Sequence, residues 1–164
     1  MKSGFSQVTN EFPPVFDEHS KVLILGSLPS VASRQAGFYY MNPHNRFWKV
    51  LAILFGIPFP DLSKEQKIQA LLSRGVALYD VIETCEIQSS SDASIKSAKC
   101  ADLSDVLKRS EIRKILLNGQ KAYSLFLSFH PELAPIAKRM PSTSPANAKV
   151  SLDELARIWG EELL

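Results

Sequence analysis

The sequence predicts an α/β protein of three layers, in which helices cover both faces of a mostly parallel sheet. Three short apolar runs, at 22–25, 76–82 and 112–117, have the composition of buried strands. Segments with apolar residues at helical spacing follow each of these runs. A length of 164 residues suits one domain. We therefore expect a single domain over 1–164, with 1–20 as an extended N-terminal arm.

The elements can be justified in chain order. Pro13 and Pro14 forbid a helix in the arm, and the first strand stops at Gly26. Ser63 is a helix N-cap candidate, and Ser151 with Glu154 forms a capping-box pattern. The 130s are expected to be a hydrophobic connection. Helices are expected over the following segments: 47–54, 63–75, 103–107, 121–129 and 151 to the end.

Composition excludes several classes of protein. The net charge of +2 is compatible with a nucleic-acid partner but does not require one. Cys85 and Cys100 are too few for a disulfide framework, and neither an HExxH nor a CxxC motif occurs. The N-terminus lacks the apolar core of a signal peptide, and no apolar run approaches the roughly 20 residues of a membrane span. We expect a cytoplasmic monomer that needs no metal or cofactor.

A candidate site lies directly after the first strand. Gly26 begins a turn, and a polar, aromatic loop leads from there to the helix at Phe47. Ligands in α/β folds bind at the carboxyl ends of strands, which is where this loop falls. The polar and aromatic residues of the loop are Tyr39, Tyr40, Asn42, His44, Asn45 and Arg46.

Each of these features has a structural alternative. The segment 26–30 lacks the lysine of a Walker A sequence and the glycines of a dinucleotide fingerprint, which argues against a nucleotide-binding loop. It is either a turn without a ligand or a turn in which Gly26 lets the backbone come close to one. Tyr39 and Tyr40 are adjacent on an extended segment, so one of them can be core while the other stacks on a flat ligand. The polar segment 142–145 suits phosphate contacts or is an ordinary loop before a helix.

Taken together, these segments resemble the uracil-DNA glycosylase superfamily. The resemblance begins at Gly26-Ser27-Leu28-Pro29-Ser30, the place of the first motif. The run GFYYMNPHNRFW at 37–48 is similar to the G-x-x-F-x-x-P-x-N-R-F-W of mismatch-specific members. Shorter matches lie at 75–80 and 116–123, and MPSTSPAN at 140–147 occupies the place of the second motif. The resemblance implies a four-stranded parallel sheet between helices.

One departure distinguishes the branches of this superfamily. Mismatch-specific members carry an asparagine in G-I-N-P-G that positions the attacking water, whereas Leu28 has no polar side chain. The hypoxanthine-DNA glycosylase branch, with G-S-[LM]-P-[GS], paired tyrosines and S-T-S-P-A-N, is the closer resemblance. That branch transfers the catalytic role to an asparagine of the following loop. We assign it to Asn45, with Asn42 as the reserve.

The resemblance implies a monofunctional DNA glycosylase that flips hypoxanthine or uracil out of double-stranded DNA and hydrolyses its N-glycosidic bond. Tyr40 would stack on the base, Tyr39 would shape the pocket, and 26–30 would bind the base edge. The residues expected to contact DNA are Arg46, Ser142, Thr143, Ser144, Pro145, Ala146 and Asn147.

Two other functions stay open at the level of the sequence: a catalytically weak or inactive DNA- or nucleotide-binding module, and a hydrolase of free nucleosides. The serine-rich loop from Gln88 to Asp92 is a further candidate for DNA contact.

Overall fold

A computed structural model of the chain describes residues 5–88 and 94–164, so the serine-rich prediction at Ser89–Asp92 lies outside the described residues. The described part contains seven strands in two sheets, a parallel sheet of four strands and an antiparallel sheet of three. The strands are β1 Ser6–Thr9, β2 Val22–Gly26, β3 Val76–Asp80, β4 Ile82–Ile87, β5 Lys96–Cys100, β6 Lys114–Asn118 and β7 Ala137–Met140.

The parallel sheet has the strand order β3-β2-β6-β7, and the antiparallel sheet has the order β1-β4-β5. In the part of the chain that the structure describes, 3₁₀ turns lie at Phe59–Asp61 and Pro131–Ile136. The helices are α1 Val31–Ala36, α2 Phe47–Phe55, α3 Lys64–Ser73, α4 Ser104–Lys108, α5 Gln120–Phe129 and α6 Leu152–Leu163. Within 5–88 and 94–164, no helix is both long and apolar enough to cross a membrane.

Two hydrophobic cores lie on opposite faces of the parallel sheet. Along β2 the side chains alternate, so Ile24 packs with α2, α3 and α6 while Leu23 and Leu25 pack with α4 and α5. The largest wholly buried side chain, Trp159, lies in the first core. Because both faces are covered, the inner strands are continuously apolar. The predicted fold class, a three-layer α/β sandwich with a four-stranded parallel sheet, is confirmed.

The predicted second strand, 76–82, is wrong in one respect, because the chain leaves the parallel sheet at Asp80. The amide of Val81 donates to the carbonyl of Gly26 at 2.8 Å, and that of Ile82 donates to Ser27 at 3.2 Å. β4 then begins at Ile82 and pairs with β1 and β5. These bonds bring the first motif beside the end of β3.

The predicted connection in the 130s is also wrong, because it contains β7, the fourth strand of the parallel sheet. β7 is an edge strand in which only Met140 is buried, so it lacks the apolar run of an inner strand. The helix α1 falls where the sequence predicted a loop. Ser30 begins it by accepting a hydrogen bond from the amide of Ser33.

The N-terminal arm packs against the body through the antiparallel sheet and through aromatic contacts. β1 pairs with β4, and Val15 exchanges hydrogen bonds of 2.8 and 2.9 Å with Leu78 of β3. The Phe12 ring meets Tyr39 edge to face with centroids 5.1 Å apart. The arm therefore reaches the same strand end as the candidate site.

Candidate active site

The carboxyl ends of the parallel strands form the floor of a cleft of about 800 Å³. Asp80 of β3 pairs with Gly26 of β2, and Asn118 of β6 pairs with Met140 of β7. Leu117 pairs with Leu25, so Asn118 stands beside Gly26 in the same row. Both predicted motif segments, 26–30 and 142–147, lie on this cleft. The strand ends therefore bring together the regions that the sequence singled out.

A chain of hydrogen bonds joins Asn118, Thr143 and Asn45 across the cleft. Asn118 and Thr143 exchange two bonds of 3.0 Å, from the Thr143 amide to Oδ1 and from Nδ2 to the Thr143 hydroxyl. That hydroxyl donates in turn to Asn45 Oδ1 at 2.8 Å. Thr143 is wholly buried, so these bonds are protected from water. These hydrogen bonds fix Asn118 and Asn45 relative to each other.

The same bonds settle which way the Asn45 amide faces. Its Oδ1 also accepts from the amide of Phe47 at 2.9 Å, and a backbone N–H can only donate. With two donors on Oδ1, the NH₂ group is the polar group that Asn45 offers to the cleft. Asn45 is therefore placed to donate a hydrogen bond to a ligand.

Asn42 lies in a turn outside the cleft. Its Oδ1 accepts from the amide of His44 at 2.9 Å, which is the bond of an Asx turn. Asn42 is not among the residues that line the cleft. Of the two predicted catalytic asparagines, only Asn45 reaches the site.

The two adjacent tyrosines have different environments. Tyr39 is core: its hydroxyl donates to the carbonyl of Pro13 at 3.0 Å, and its carbonyl accepts from the Trp48 indole. Burial raises the pKa of Tyr39 far above the ordinary value, and the nearby charge of Asp80 raises it further. Tyr39 therefore stays neutral.

Tyr40 lies at the cleft surface with one ring face against Phe47, the two centroids being 4.0 Å apart and the planes 22° apart. Its φ of 56° is a left-handed conformation that residues other than glycine adopt at a cost. Packing against Phe47 thus holds Tyr40 in a strained conformation at the cleft, where an aromatic ring can stack on a ligand.

The first motif forms one wall of the cleft. Gly26, Ser27 and Pro29 are buried, while Leu28 lies partly buried against the core of the antiparallel sheet. The carbonyls of Gly26 and Ser27 accept from the amides of Val81 and Ile82, and Ser30 caps α1. The base-binding role of this segment stays a prediction.

The second motif forms a loop stabilised mainly from within. The Ser142 hydroxyl accepts from the amide of Ser144 at 3.1 Å, and Asn147 Nδ2 donates to the carbonyl of Ser142 at 3.0 Å. Pro145 and Ala146 form the exposed tip. Thr143, which was predicted to contact DNA, has a wholly buried side chain that bonds Asn118 and Asn45.

Arg46, which was also predicted to contact DNA, binds backbone carbonyls of the protein. Its guanidinium donates to the carbonyls of Val150, Ser144 and Asn147, the last at 2.9 Å, and its backbone amide donates to Thr143. These bonds tie the second-motif loop to the start of α2. Arg46 therefore positions the loop, and its cation is turned inward.

The cleft also contains residues to which the sequence analysis gave no site role, and the charged or strand-ending ones among them are Asp80, Asn118 and Arg139. Asp80 and Asn118 lie in segments that carry the family resemblance, but either could have been an ordinary strand-ending residue. Arg139 projects from β7, the strand that the sequence did not indicate, and donates to Gln120 Oε1 at 2.7 Å. The signal for all three is their position at the carboxyl end of a parallel strand.

Comparisons with known proteins agree with this geometry. The model of the Uracil DNA glycosylase superfamily matches residues 13–160. A hypoxanthine DNA glycosylase of Methanosarcina acetivorans is 34% identical over 144 residues, which are 85% of this chain and 89% of that protein. A hypoxanthine DNA glycosylase of Methanosarcina barkeri is 33% identical over 155 residues, which are 92% and 94% of the two chains.

The fold is shared with a solved protein. A solution NMR structure from Methanosarcina acetivorans, provisionally assigned as a uracil DNA glycosylase, superposes with a TM-score of 0.78 and 30% identity. The match covers 93% of this chain and 97% of the other. With its family model, its relatives and its cleft in agreement, the chain belongs to the uracil DNA glycosylase superfamily.

Proposed function

We propose that this protein is a monofunctional DNA glycosylase that releases hypoxanthine from double-stranded DNA by hydrolysing its N-glycosidic bond. The observation that carries the proposal is the Asn118–Thr143–Asn45 chain, which places an amide donor in a cleft built from both motif segments. The relatives at 33–34% identity are hypoxanthine DNA glycosylases, which supports hypoxanthine as the base.

The reaction needs the target nucleotide to leave the duplex. The Tyr40 ring, covered on one face by Phe47, offers its other face for stacking on the flipped base. The exposed tip at Pro145 and Ala146 is short and apolar, so it suits the space that the flipped nucleotide leaves. The Arg139 guanidinium at the rim of the cleft suits a phosphate.

In the chemical step the bond between C1′ of the sugar and N9 of the base breaks, and the base leaves with the electron pair. A hydrogen bond from Asn45 Nδ2 stabilises the negative charge that develops on the base. Water then bonds to C1′ and loses a proton to solvent or to the departed base. Because both donors on Asn45 Oδ1 hold the amide in place before the reaction, little reorganisation is needed.

Two features of this site determine how it catalyses the reaction. Leu28 offers no polar group to a water molecule, so catalysis depends more on the departing base than on an activated nucleophile. None of the described residues that line the cleft is a lysine, so we expect no Schiff base with the sugar and an intact abasic site as the product. We also propose that it acts as a monomer in the cytoplasm, which a mass measurement in solution and localisation of the tagged protein would test.

The proposal is tested by strand cleavage in alkali after incubation with duplexes that contain one hypoxanthine, uracil or xanthine. Asn45→Ala should abolish most base release and change duplex affinity little, because the amide acts on the departing base. Asn42→Ala is the matched control and should retain activity, since Asn42 serves only its own turn. Equal activity of the two variants would refute the role of Asn45, and absence of release by the unmodified protein would refute the enzyme.

A further inference from the structure

A second, smaller pocket lies beside the first motif, and the function proposed above makes no use of it. This side pocket has a volume of about 330 Å³ and is lined by residues of the N-terminal arm, the first motif and α1. Pro29 lines both the side pocket and the cleft, so the two are neighbours along the first-motif wall. DNA that occupies the cleft can therefore reach the side pocket.

Arg34 of α1 brings a positive charge to the side pocket. Its side chain is half-buried, and its Nη1 is buried without a hydrogen-bond acceptor among residues 5–88 and 94–164. Burying a guanidinium nitrogen without an acceptor is costly, because the nitrogen gives up its hydration. A cation kept at this cost beside a binding cleft indicates a negatively charged ligand.

The open edge of β1 offers further donors to the same ligand. The Asn10 amide donates to the carbonyl of Glu83 at 2.7 Å, and alternate residues of an antiparallel pair turn their backbone groups away from the partner strand. The outward residues of β1 are therefore Gln7 and Thr9, and both line the side pocket. Their N–H groups and the Thr9 hydroxyl suit phosphate oxygens. Glu11, which also lines the pocket, is exposed, so water screens its charge.

Arg34 and Arg139 are the cationic residues among the described ones that line the cleft and the side pocket. Arg139 stands on β7, an edge strand of the parallel sheet, whereas Arg34 follows β2, two strands away. A nucleotide that enters the cleft from a bound strand therefore has an arginine on each side.

We propose that Arg34 binds a backbone phosphate of the DNA strand that carries the damaged base, on the side of the cleft away from Arg139. The inference rests on the proposed function for its partner, double-stranded DNA, and adds a second anchor for that strand. A phosphate contact positions the DNA and carries no information about the base. Arg34 is thus a DNA-binding residue that acts equally on damaged and undamaged duplexes.

The test measures duplex affinity and its dependence on salt, neither of which requires base release. Arg34→Gln should weaken binding roughly tenfold at low salt, on a duplex with hypoxanthine and on one without it. The slope of log affinity against log salt should become shallower by about 0.9, the value of one phosphate contact on B-DNA. Arg34→Lys keeps the charge and should recover most of the affinity and the slope.

Arg113→Gln is the matched control. Arg113 is an exposed arginine directly before β6, at the opposite end of the parallel strands from the cleft. Its replacement removes the same charge from the protein and should change neither the affinity nor the slope.

A second measurement locates the phosphate. Methylphosphonate linkages, which carry no negative charge, are placed one at a time on either side of the hypoxanthine. At one of these positions the neutral linkage should weaken binding by the unmodified protein and have no effect on Arg34→Gln. If no position shows this difference, Arg34 does not bind a phosphate near the lesion.

The outcomes separate the possible roles of Arg34. An equal loss on both duplexes with a shallower salt slope supports the phosphate contact. A loss confined to the hypoxanthine duplex, or weaker binding with an unchanged slope, would overturn it, because a contact to a base behaves in this way. Unchanged affinity would also overturn it, and so would a loss of stability in urea that accounts for the weaker binding. If the unmodified protein binds duplexes but releases no base, the proposed function fails while the test of Arg34 still stands.

Discussion

Thr143 is the residue at which the hydrogen-bond chain of the cleft can be broken with least disturbance, because its side chain is wholly buried and joins two asparagines. Thr143→Val keeps the shape and removes the hydroxyl. Asn118 Nδ2 then loses its acceptor, and Asn45 Oδ1 keeps only the amide of Phe47. A hydrogen bond contributes about 1 kcal/mol, and a buried donor without a partner costs roughly 1–3 kcal/mol. We expect the free energy of unfolding to fall by about 2–4 kcal/mol.

The effect on catalysis should exceed the effect on binding. Without the Thr143 hydroxyl the Asn45 amide is held by one bond instead of two, so base release should slow roughly 10- to 100-fold while duplex affinity changes little. Urea unfolding and single-turnover release of hypoxanthine measure the two effects. Thr9→Val is the control, because Thr9 is exposed on β1, where valine suits a strand. If Thr143→Val and Thr9→Val have the same free energy of unfolding and the same rate of base release, the hydrogen-bond chain does not organise the site.

Three further predictions concern the surroundings of the cleft. Gly26→Ala places a Cβ 2.8 Å from Asp80 Oδ1, so we expect the rate of base release to fall at least about tenfold. Gly160→Ala is the control and should stay active, because its Cβ meets only the flexible ends of leucine side chains. Equal rates of base release by the two variants would contradict this prediction. Arg46→Lys removes the guanidinium that donates to three backbone carbonyls, so the free energy of unfolding should drop by roughly 1–3 kcal/mol. An unchanged melting temperature would contradict a stabilising role of these hydrogen bonds. A hydrogen bond from Lys138 of β7 lowers the pKa of Glu162, so Glu162→Gln should cost less than about 1 kcal/mol at pH 7. This cost should shrink as the pH falls below the unfolded pKa of 4.5 and through the folded pKa; a cost that does not shrink in acid would be inconsistent with the ion pair.

The fold class and the location of the site could be predicted because both depend on local patterns. The run from Val22 to Leu25 is apolar enough to require burial on both sides, and Gly26 ends it. Parallel strands end at a common edge, so the segments that follow them meet there. The capping serines at 63 and 151 also begin their helices as predicted.

The edge elements could not be predicted, because pairing stabilises them more than their own composition does. β7 reads Ala-Lys-Arg-Met, and three of its four residues are at least partly accessible to solvent. β5 reads Lys-Ser-Ala-Lys-Cys, is exposed at four of its five residues, and pairs with β4. Such strands are stabilised by hydrogen bonds to the neighbouring strand, so they need not carry the apolar pattern by which sequence analysis detects a strand.

The roles of individual site residues depended on contacts between distant parts of the chain. Thr143 and Arg46 have the residue types of phosphate ligands, but partners far along the chain turn both side chains inward. Thr143 binds Asn118 and Asn45, which lie 25 and 98 positions away, and the three partners of Arg46 lie at least 98 positions away. Asp80 was assigned no role, since it falls inside the strand predicted over 76–82. Only the meeting of strand ends gives it a neighbour in Gly26 and a place at the cleft.

The central claim is that this protein breaks a glycosidic bond and leaves the DNA backbone intact. The most direct measurement is chromatography with mass detection of the free base, combined with denaturing electrophoresis of the same duplex without alkali. The account predicts one free hypoxanthine for each modified strand and no strand break until alkali is added. Release of no free base, or a break that appears without alkali, would contradict it.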